Sequence, residues 1–309
     1  VVKFFYKMLY YGEKINVRIL NIIIYRFCLS LTRLTLPLFY KLTPQVKKGV
    51  RKRDEKNAGP KVIVSLTTFP PRVSQLWLVL ESLLRQTYKP DKIILWLAKS
   101  QFESINMLDE RILKMQKRGL EIQFCDDLKS HKKYYYAMEE YSGDIIITVD
   151  DDIFQPENLV GNLMNKYIEF PNCVVCYRAH KITFADYGIN EYDDWDLLSK
   201  TSEGPDHLLM ATNGAGALYP PNCLSKEVLK KNMIKELCFE ADDIWLKCMS
   251  FMGGTKTVKV CKNSPRILTV KGSSENGLAK DNVINKKNDF QLKSVMQHYG
   301  IDFRCSDNY

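Results

Sequence analysis

The chain has 309 residues, 45% hydrophobic and 26% charged, which is ordinary globular composition with ample length to bury a core. Its 15 Gly and 12 Pro exclude collagen-like and low-complexity classes, and the absence of a charge-free run of about 18 apolar residues argues against a clean transmembrane helix. The net charge of +9 sits at one end: residues 1–59 hold thirteen Lys and Arg against three acidic residues, while the other 250 are balanced to within one charge, which weighs against a nucleic-acid-binding body.

The chain begins at Val1, so a few leading residues are expected to be missing. Residues 1–40 read as a basic amphipathic helix. At about 100° per residue, Lys3, Lys7, Lys14, Arg18, Arg26 and Arg33 fall within one arc, and Ile15, Ile19, Ile22, Ile23, Leu29 and Leu36 lie opposite. That pattern suits a helix lying in a membrane interface. The alternative is an ordinary helix docked on its own domain or on a partner. The arginines interrupt any apolar signal region, which argues against a cleaved signal peptide. Lys47, Lys48, Arg51, Lys52 and Arg53 follow as a polybasic cluster, each worth about 1 kcal/mol of attraction to anionic lipid. Residues 51–60 read as a charged linker, so we expect an extension over 1–59 and a domain over 60–309.

The body alternates strand and helix. Lys61–Leu66 is a β-branched apolar run and a first strand; Ser74–Gln86 has helical spacing, with Ser74 as N-cap. Lys92–Leu97 is a second strand, 104–118 a helix, and Leu120–Phe124 a third strand. A Tyr-rich helix over 132–141 leads to a fourth strand, Asp144–Val149, which ends in Asp150, Asp151 and Asp152. A helix over 156–170 and a fifth strand over 173–177 follow. Residues 186–206 read as a polar excursion, 212–218 as a Gly-rich then apolar run, and 240–249 as a helix. The fold class is therefore α/β, a mostly parallel sheet with helices on both faces. Ligand crevices in such sheets lie beyond the carboxyl ends of the strands.

Nine cysteines, an odd number, and no N-x-S/T acceptor fit a reducing compartment without a disulfide frame. Cys173 and Cys176 bracket two valines in an apolar run, and no second ligand pair follows, so they read as buried strand residues rather than a zinc site.

Three carboxylates after a buried strand carry the chemistry. On an extended backbone Asp150 and Asp152 share one side and Asp151 faces the other. Two carboxylates on one side repel unless a cation sits between them, and hard oxygen ligands suit Mg²⁺ or Mn²⁺. An Asp-rich turn capping the next helix is the structural alternative.

The segments VSLTTFPPR at 64–72, LLRQTYKPD at 83–91, IILW at 93–96 and IIITVDDD at 145–152, with NGAGALY at 213–219 and EADDIWL at 240–246, resemble a GT-A fold glycosyltransferase. They are similar to its exostosin-like branch and to bacterial polysaccharide glycosyltransferases over roughly residues 61–260. The resemblance implies that Asp150 and Asp152 coordinate Mn²⁺ or Mg²⁺ bridging the diphosphate of a nucleotide-sugar donor, with a UDP-sugar favoured. It implies donor contacts from Thr67, Thr68, Phe69, Arg72, Ser130, Lys132, Lys133, Asp150 and Arg178, for which surface positions are the bland alternative. It places Asp242 and Asp243 on the acceptor side as catalytic residues, with Asp243 as the base or as a stabiliser of positive charge on the sugar ring. A helix N-terminus favouring carboxylates is the alternative there. His180 joins Arg178 as a donor or acceptor contact. The third metal ligand is open, with His298 as the one late histidine; Lys271 or Lys280 could reach phosphate from a polar loop. The exostosin-like likeness leans towards retention at the anomeric centre, whereas Asp243 as base suits inversion.

The expected activity is thus transfer of a sugar to a growing surface glycan or lipid-linked acceptor, on the cytoplasmic face of an anionic membrane. Two alternatives stand beside it: a haloacid-dehalogenase-like phosphatase, and a non-catalytic binding protein of the same fold. Against the phosphatase, three strands precede Asp150 and Phe154 stands where a hydroxyl residue belongs. No phosphate-loop motif occurs.

Overall fold

The structure, a computed structural model, describes all residues except 15–16, 53–58, 187, 264–265, 273–285 and 309. Eleven strands are described: β1 (Val62–Thr67), β2 (Lys92–Ala98), β3 (Leu120–Cys125), β4 (Ile145–Thr148), β5 (Val174–Cys176), β6 (Ala179–Lys181), β7 (Phe184–Ala185), β8 (Gly188–Ile189), β9 (Leu209–Ala211), β10 (Ala217–Tyr219) and β11 (Thr257–Lys259). Seven of them form one sheet in the order β11-β5-β10-β4-β1-β2-β3. β1 runs parallel to β2 and β4, β2 to β3, and β5 to β11; β10 is antiparallel to both neighbours. The order turns at β1, from which β2 and β3 run one way and β4 the other. That is a topological switch, where the loops after β1 and β4 diverge and leave a crevice.

The sheet is buried on both faces because its strands carry apolar residues at both parities. Val62, Val64 and Leu66 point into one core, and Ile63 into the other. The first core is covered by α3 (Val73–Leu84) and α6 (Leu159–Glu169), the second by α5 (Lys132–Glu140), α7 (Lys231–Leu237), α8 (Asp242–Met252) and α9 (Lys287–Tyr299). The expected helix over 104–118 is shorter: α4 spans Glu110–Met115 between two 3₁₀ turns. Ser74 is not a cap. α3 starts at Val73, one turn after Pro70 and Pro71 set the chain in a 3₁₀ turn, so Ser74 falls inside the helix.

The amino-terminal segment is two helices, α1 (Val2–Lys14) and α2 (Arg18–Leu42), packed against each other. A single helical wheel over residues 1–40 assumes one unbroken phase, and the break between the helices resets it. Val2, Phe5 and Leu9 of α1 and Cys28, Leu36 and Tyr40 of α2 are buried in the same core as α3 and α6. Ile19 and Ile23 instead belong to an outward stripe with Phe27, Leu34, Leu38 and Leu42, and Ile19 and Leu34 are 72% and 74% exposed. Ile15 lies outside the described residues, and nothing is described of the side chains of Lys14 and Arg18. Arg33 faces inward, donating to the Thr269 and Val270 carbonyls at 2.9 Å each. Arg51 is likewise withdrawn from the basic cluster, paired with Asp91 at 2.5 and 2.6 Å.

Ile19–Leu42 is long and apolar enough to cross a membrane by length and composition. This corrects the exclusion drawn from the sequence, which counted charge-free runs only; a window holding two cations still passes. The inward ridge Cys28, Thr32, Leu36 and Tyr40 is nevertheless covered by the chain's own domain.

All nine cysteines are free. Cys173 and Cys176 are buried, as expected of strand residues.

Candidate active site

A cleft of about 480 Å³ opens where β1 and β4 end. Its size is that of a small-molecule site. Residues after β1 (Thr67, Thr68, Phe69, Arg72), before and on α5 (Ser130, Lys132, Lys133), after β4 (Asp150, Asp151, Asp152) and on α8 (Asp242, Asp243) all line it. Of the residues expected to bind donor, Arg178 alone does not; it lies past β5, where its carbonyl accepts from Thr212 N at 2.9 Å. His180 accepts from Leu198 N at 2.8 Å and sits edge-on to Tyr192, which does line the cleft. His298 is exposed near the end of α9, and Lys271 is exposed outside the lining. Lys280 lies outside the described residues.

The acidic triplet is not an extended strand. β4 stops at Thr148, and Asp151 and Asp152 stand in a turn, so strict alternation fails. Asp151 is buried; Thr68 Oγ1 donates to it at 2.6 Å and Arg72 Nη1 at 2.5 Å. The other nitrogen of the same guanidinium lies 3.1 Å from Asp152. One arginine, stacked over Phe69 at 5.2 Å, therefore faces two of the three carboxylates. Burial, and then the charge of Asp150, pushes Asp152 up to about 7.

Asp150 is the most open of the three and points the other way. Lys133 Nζ lies 2.7 Å from it and 2.9 Å from Asp242, so one buried ammonium joins the β4 turn to the start of α8. Burial would lower this lysine, but Asp150, Asp242 and Asp243 outweigh it and hold it well above its ordinary value. Asp242 is buried too, yet the nearby Lys133 charge keeps it ionised and below the usual range. Asp243 is pushed the opposite way, up to about 7, by burial and then by Asp242. Adjacent carboxyl groups thus titrate apart, the arrangement that separates a permanent anion from a proton acceptor.

Asn213 is the residue that pattern reading passed over. Its backbone N and side-chain Nδ2 both donate to Asp243 Oδ1, at 3.1 and 2.5 Å, and the Tyr219 hydroxyl donates to its side-chain Oδ1. Gly214 follows against the first carboxylate. A Cβ there would stand 1.9 Å from Asp150 Oδ2, and the Gly214 carbonyl accepts from Asp150 N at 3.1 Å. Gly216 has φ +102°, a backbone that side chains resist, and turns the chain into β10. The sequence signal was the Asn-Gly-x-Gly run itself. His131 was also missed. It is buried with Nε2 2.8 Å from the Cys238 carbonyl, which can only accept, so Nε2 carries the proton and Nδ1 accepts from Tyr134 at 2.9 Å. Burial holds it near pKa 4, and the neutral ring props the start of α5 against the end of α7. Gln101, Asp127, Lys129, Tyr192, Glu240 and Asn288 complete the polar wall.

Four basic and seven acidic side chains line the cleft, so acidic groups outnumber basic ones by three, and the wall stays net negative even with Asp152 and Asp243 half protonated near pH 7. An anionic ligand would be repelled by such a wall unless a cation came with it. The carboxylates of Asp150 and Asp152 offer hard oxygen donors that fit Mg²⁺ or Mn²⁺. Among the described residues no third Asp, Glu, His or Cys joins them in a ligand cluster, which leaves positions for water and ligand oxygens.

No family model matches the chain, and no curated protein is similar to it. Among solved structures it is similar to the mannosyltransferase PcManGT from Pyrobaculum calidifontis in complex with GDP-Man and Mn²⁺, at 14% identity and a TM-score of 0.44, over 83% of this chain and 70% of that one. It is also similar to TarS from S. aureus, at 12% identity and a TM-score of 0.41, over 68% and 60%. Likeness of that degree concerns the layout of sheet and helices and carries nothing about the cleft.

Proposed function

We propose that the chain is a metal-dependent glycosyltransferase that moves a sugar from a nucleotide-diphosphate sugar, with a UDP-sugar favoured, to a glycan or lipid-linked acceptor. The observation that carries this is Lys133. It ties Asp150, on the metal side, to Asp242, on the acceptor side, within a single cleft at the switch point of the sheet. Asp150 and Asp152 hold the divalent ion, which, when bound, offsets charge developing on the leaving diphosphate. Thr67, Thr68 and Phe69 stand after β1 to receive base and ribose. Lys132 and Lys133 supply positive potential from the start of α5. Asp243, oriented by Asn213, takes the proton of the acceptor hydroxyl as that oxygen bonds to the anomeric carbon. The bond from that carbon to the diphosphate breaks, and its electron pair leaves with the nucleoside diphosphate. A base with pKa near neutrality suits this transfer. Asp242 stays ionised and positions Lys133.

The same reading places the chain as a peripheral protein on the cytoplasmic face of the membrane. Support comes from the outward stripe of α2, flanked by exposed Lys3, Lys7, Arg26 and Lys41. A helix covered by its own domain along one side lies in the interface rather than across it. Nine free thiols fit a reducing compartment.

The test is release of nucleoside diphosphate from a panel of UDP- and GDP-sugars with Mn²⁺ and a mixture of glycan and lipid-linked acceptors. Release from one donor that stops on chelation supports the reading. No release from any donor, with or without acceptor, contradicts it.

A further inference from the structure

We propose that the amino-terminal helices are part of the donor site: Tyr6 and Arg33 are positioning residues that hold the strip Leu268–Val270 against the turn carrying Asp152. The inference rests on the reading of Asp152 as a metal ligand.

The turn after β4 is bonded to this strip along its backbone. Val270 N donates to the Asp152 carbonyl at 2.8 Å, Phe154 N donates to the Leu268 carbonyl at 2.9 Å, and Ile153 and Thr269 form an antiparallel bridge between them. The strip is held in turn by the two helices. Tyr6 Oη accepts from Leu268 N at 3.1 Å and donates to the Phe154 carbonyl at 3.0 Å, so one hydroxyl clasps strip and turn together. Arg33 spans the other end, with Nε on the Thr269 carbonyl at 2.9 Å and Nη2 on Thr269 Oγ1 at 3.0 Å and the Val270 carbonyl at 2.9 Å.

The chemistry of Arg33 is informative. Its described bonds all go to neutral oxygens of one three-residue strip. A guanidinium used as a rigid fork on backbone fixes the register of that strip. Register matters here because Val270 N meets the Asp152 carbonyl, and the spacing of Asp152 from Asp150 decides how well two carboxylates share one ion. Arg72 holds the Asp152 side chain from the cleft side, and the strip holds its backbone from the far side. Groups bonded directly to a metal ligand change metal affinity by roughly 10–100-fold when lost, and Arg33 and Tyr6, one partner further out, act on the lower end of that range.

The experiment measures Mn²⁺ affinity of the full chain by electron paramagnetic resonance of free Mn²⁺, without nucleotide and well below each variant's unfolding temperature. Arg33→Ala and Tyr6→Phe are expected to bind Mn²⁺ up to about 10-fold more weakly and by clearly more than twofold, and Arg33→Lys to recover part of the loss. Ile23→Ser, on the outward stripe of the same helix, is expected to bind as the wild type does. A folded Arg33→Ala or Tyr6→Phe that binds Mn²⁺ within about twofold of the wild type, while Asp152→Asn does not bind, overturns the inference and leaves the site reading standing. Wild-type protein that binds no Mn²⁺ overturns both. Tyr6→Phe removes only one oxygen, so it answers the question even where Arg33→Ala does not fold.

Discussion

The two acidic groups of the cleft make an instructive pair. Asp150–Asp152 follows a strand that ends early, and its members turn to different cations: Asp150 to Lys133, Asp151 and Asp152 to Arg72. Asp242–Asp243 opens a helix, and its members share Asn213 while only Asp242 reaches Lys133. The first group is spread out and open at one member, with Asp150 38% exposed. The second sits deeper in the same cleft, where burial raises Asp243 while the Lys133 charge outweighs it at Asp242 and sends the two neighbours opposite ways. Similar sequence, Asp beside Asp, thus takes two different electrostatic settings, which the proposed function uses as a ligand pair and as a proton acceptor with its ionised companion.

Removing the link between the groups should have the largest effect. Lys133→Met leaves Asp150 and Asp242 without their shared cation, and we expect a loss of about 3–5 kcal/mol in denaturant unfolding together with loss of donor binding. Unchanged stability would mean that the two groups are independent. Asp243→Asn keeps the shape of the second group and removes its base. Turnover should fall by about 10²–10⁴ while donor affinity holds, read as kcat against donor Kd. A matching loss in donor Kd would move Asp243 to the metal side. Gly214→Ala intrudes on the first group alone, since its Cβ would stand 1.9 Å from Asp150 Oδ2. Forcing Asp150 aside should cost about 1–3 kcal/mol of stability and weaken Mn²⁺-dependent nucleotide binding, with Asp243 chemistry unaffected.

The smallest effect is in pH dependence, where one member of each group, Asp152 and Asp243, is raised to about 7 and responds with the same sign. Asp243 in the folded chain holds its proton up to about pH 7, against about 3.8 when unfolded. The folded state therefore binds more protons between these values, and this group's contribution to stability falls as pH rises from 4 to 7. Turnover should rise through about pH 7 over the upper part of the same window, as the carboxylate forms. In Asp243→Asn the unfolding midpoint should vary less with pH across that range; an unaltered profile would assign the effect elsewhere.

Much of the fold was legible because a buried parallel sheet writes continuous apolar runs into the chain. β1, β2, β3 and β4 all fall within their expected runs or within a residue of them. The position of Asp150 at the end of such a run made the cleft visible. Partners were not legible. Lys133 had an exposed lysine as its bland alternative, because nothing local shows that Asp150, 17 residues on, and Asp242, on another element, converge on it. Asn213 is 30 residues from Asp243 and carries no periodic signal. The amino-terminal wheel failed for a different reason: it sorted apolar from basic, whereas the molecule sorts one apolar side from another. Leu36 and Tyr40 went to the core and Ile19 and Leu34 to the outside, and Arg33 went inward because backbone carbonyls were waiting for it.

The central claim is that the first acidic group binds a divalent ion together with a nucleoside diphosphate. Calorimetric titration of the purified protein with UDP and with GDP, each with and without Mn²⁺, tests it most directly. The account predicts Mn²⁺-dependent binding of one nucleotide that is lost in Asp152→Asn while the fold is retained. Binding that persists in Asp152→Asn, or that ignores Mn²⁺, would contradict it.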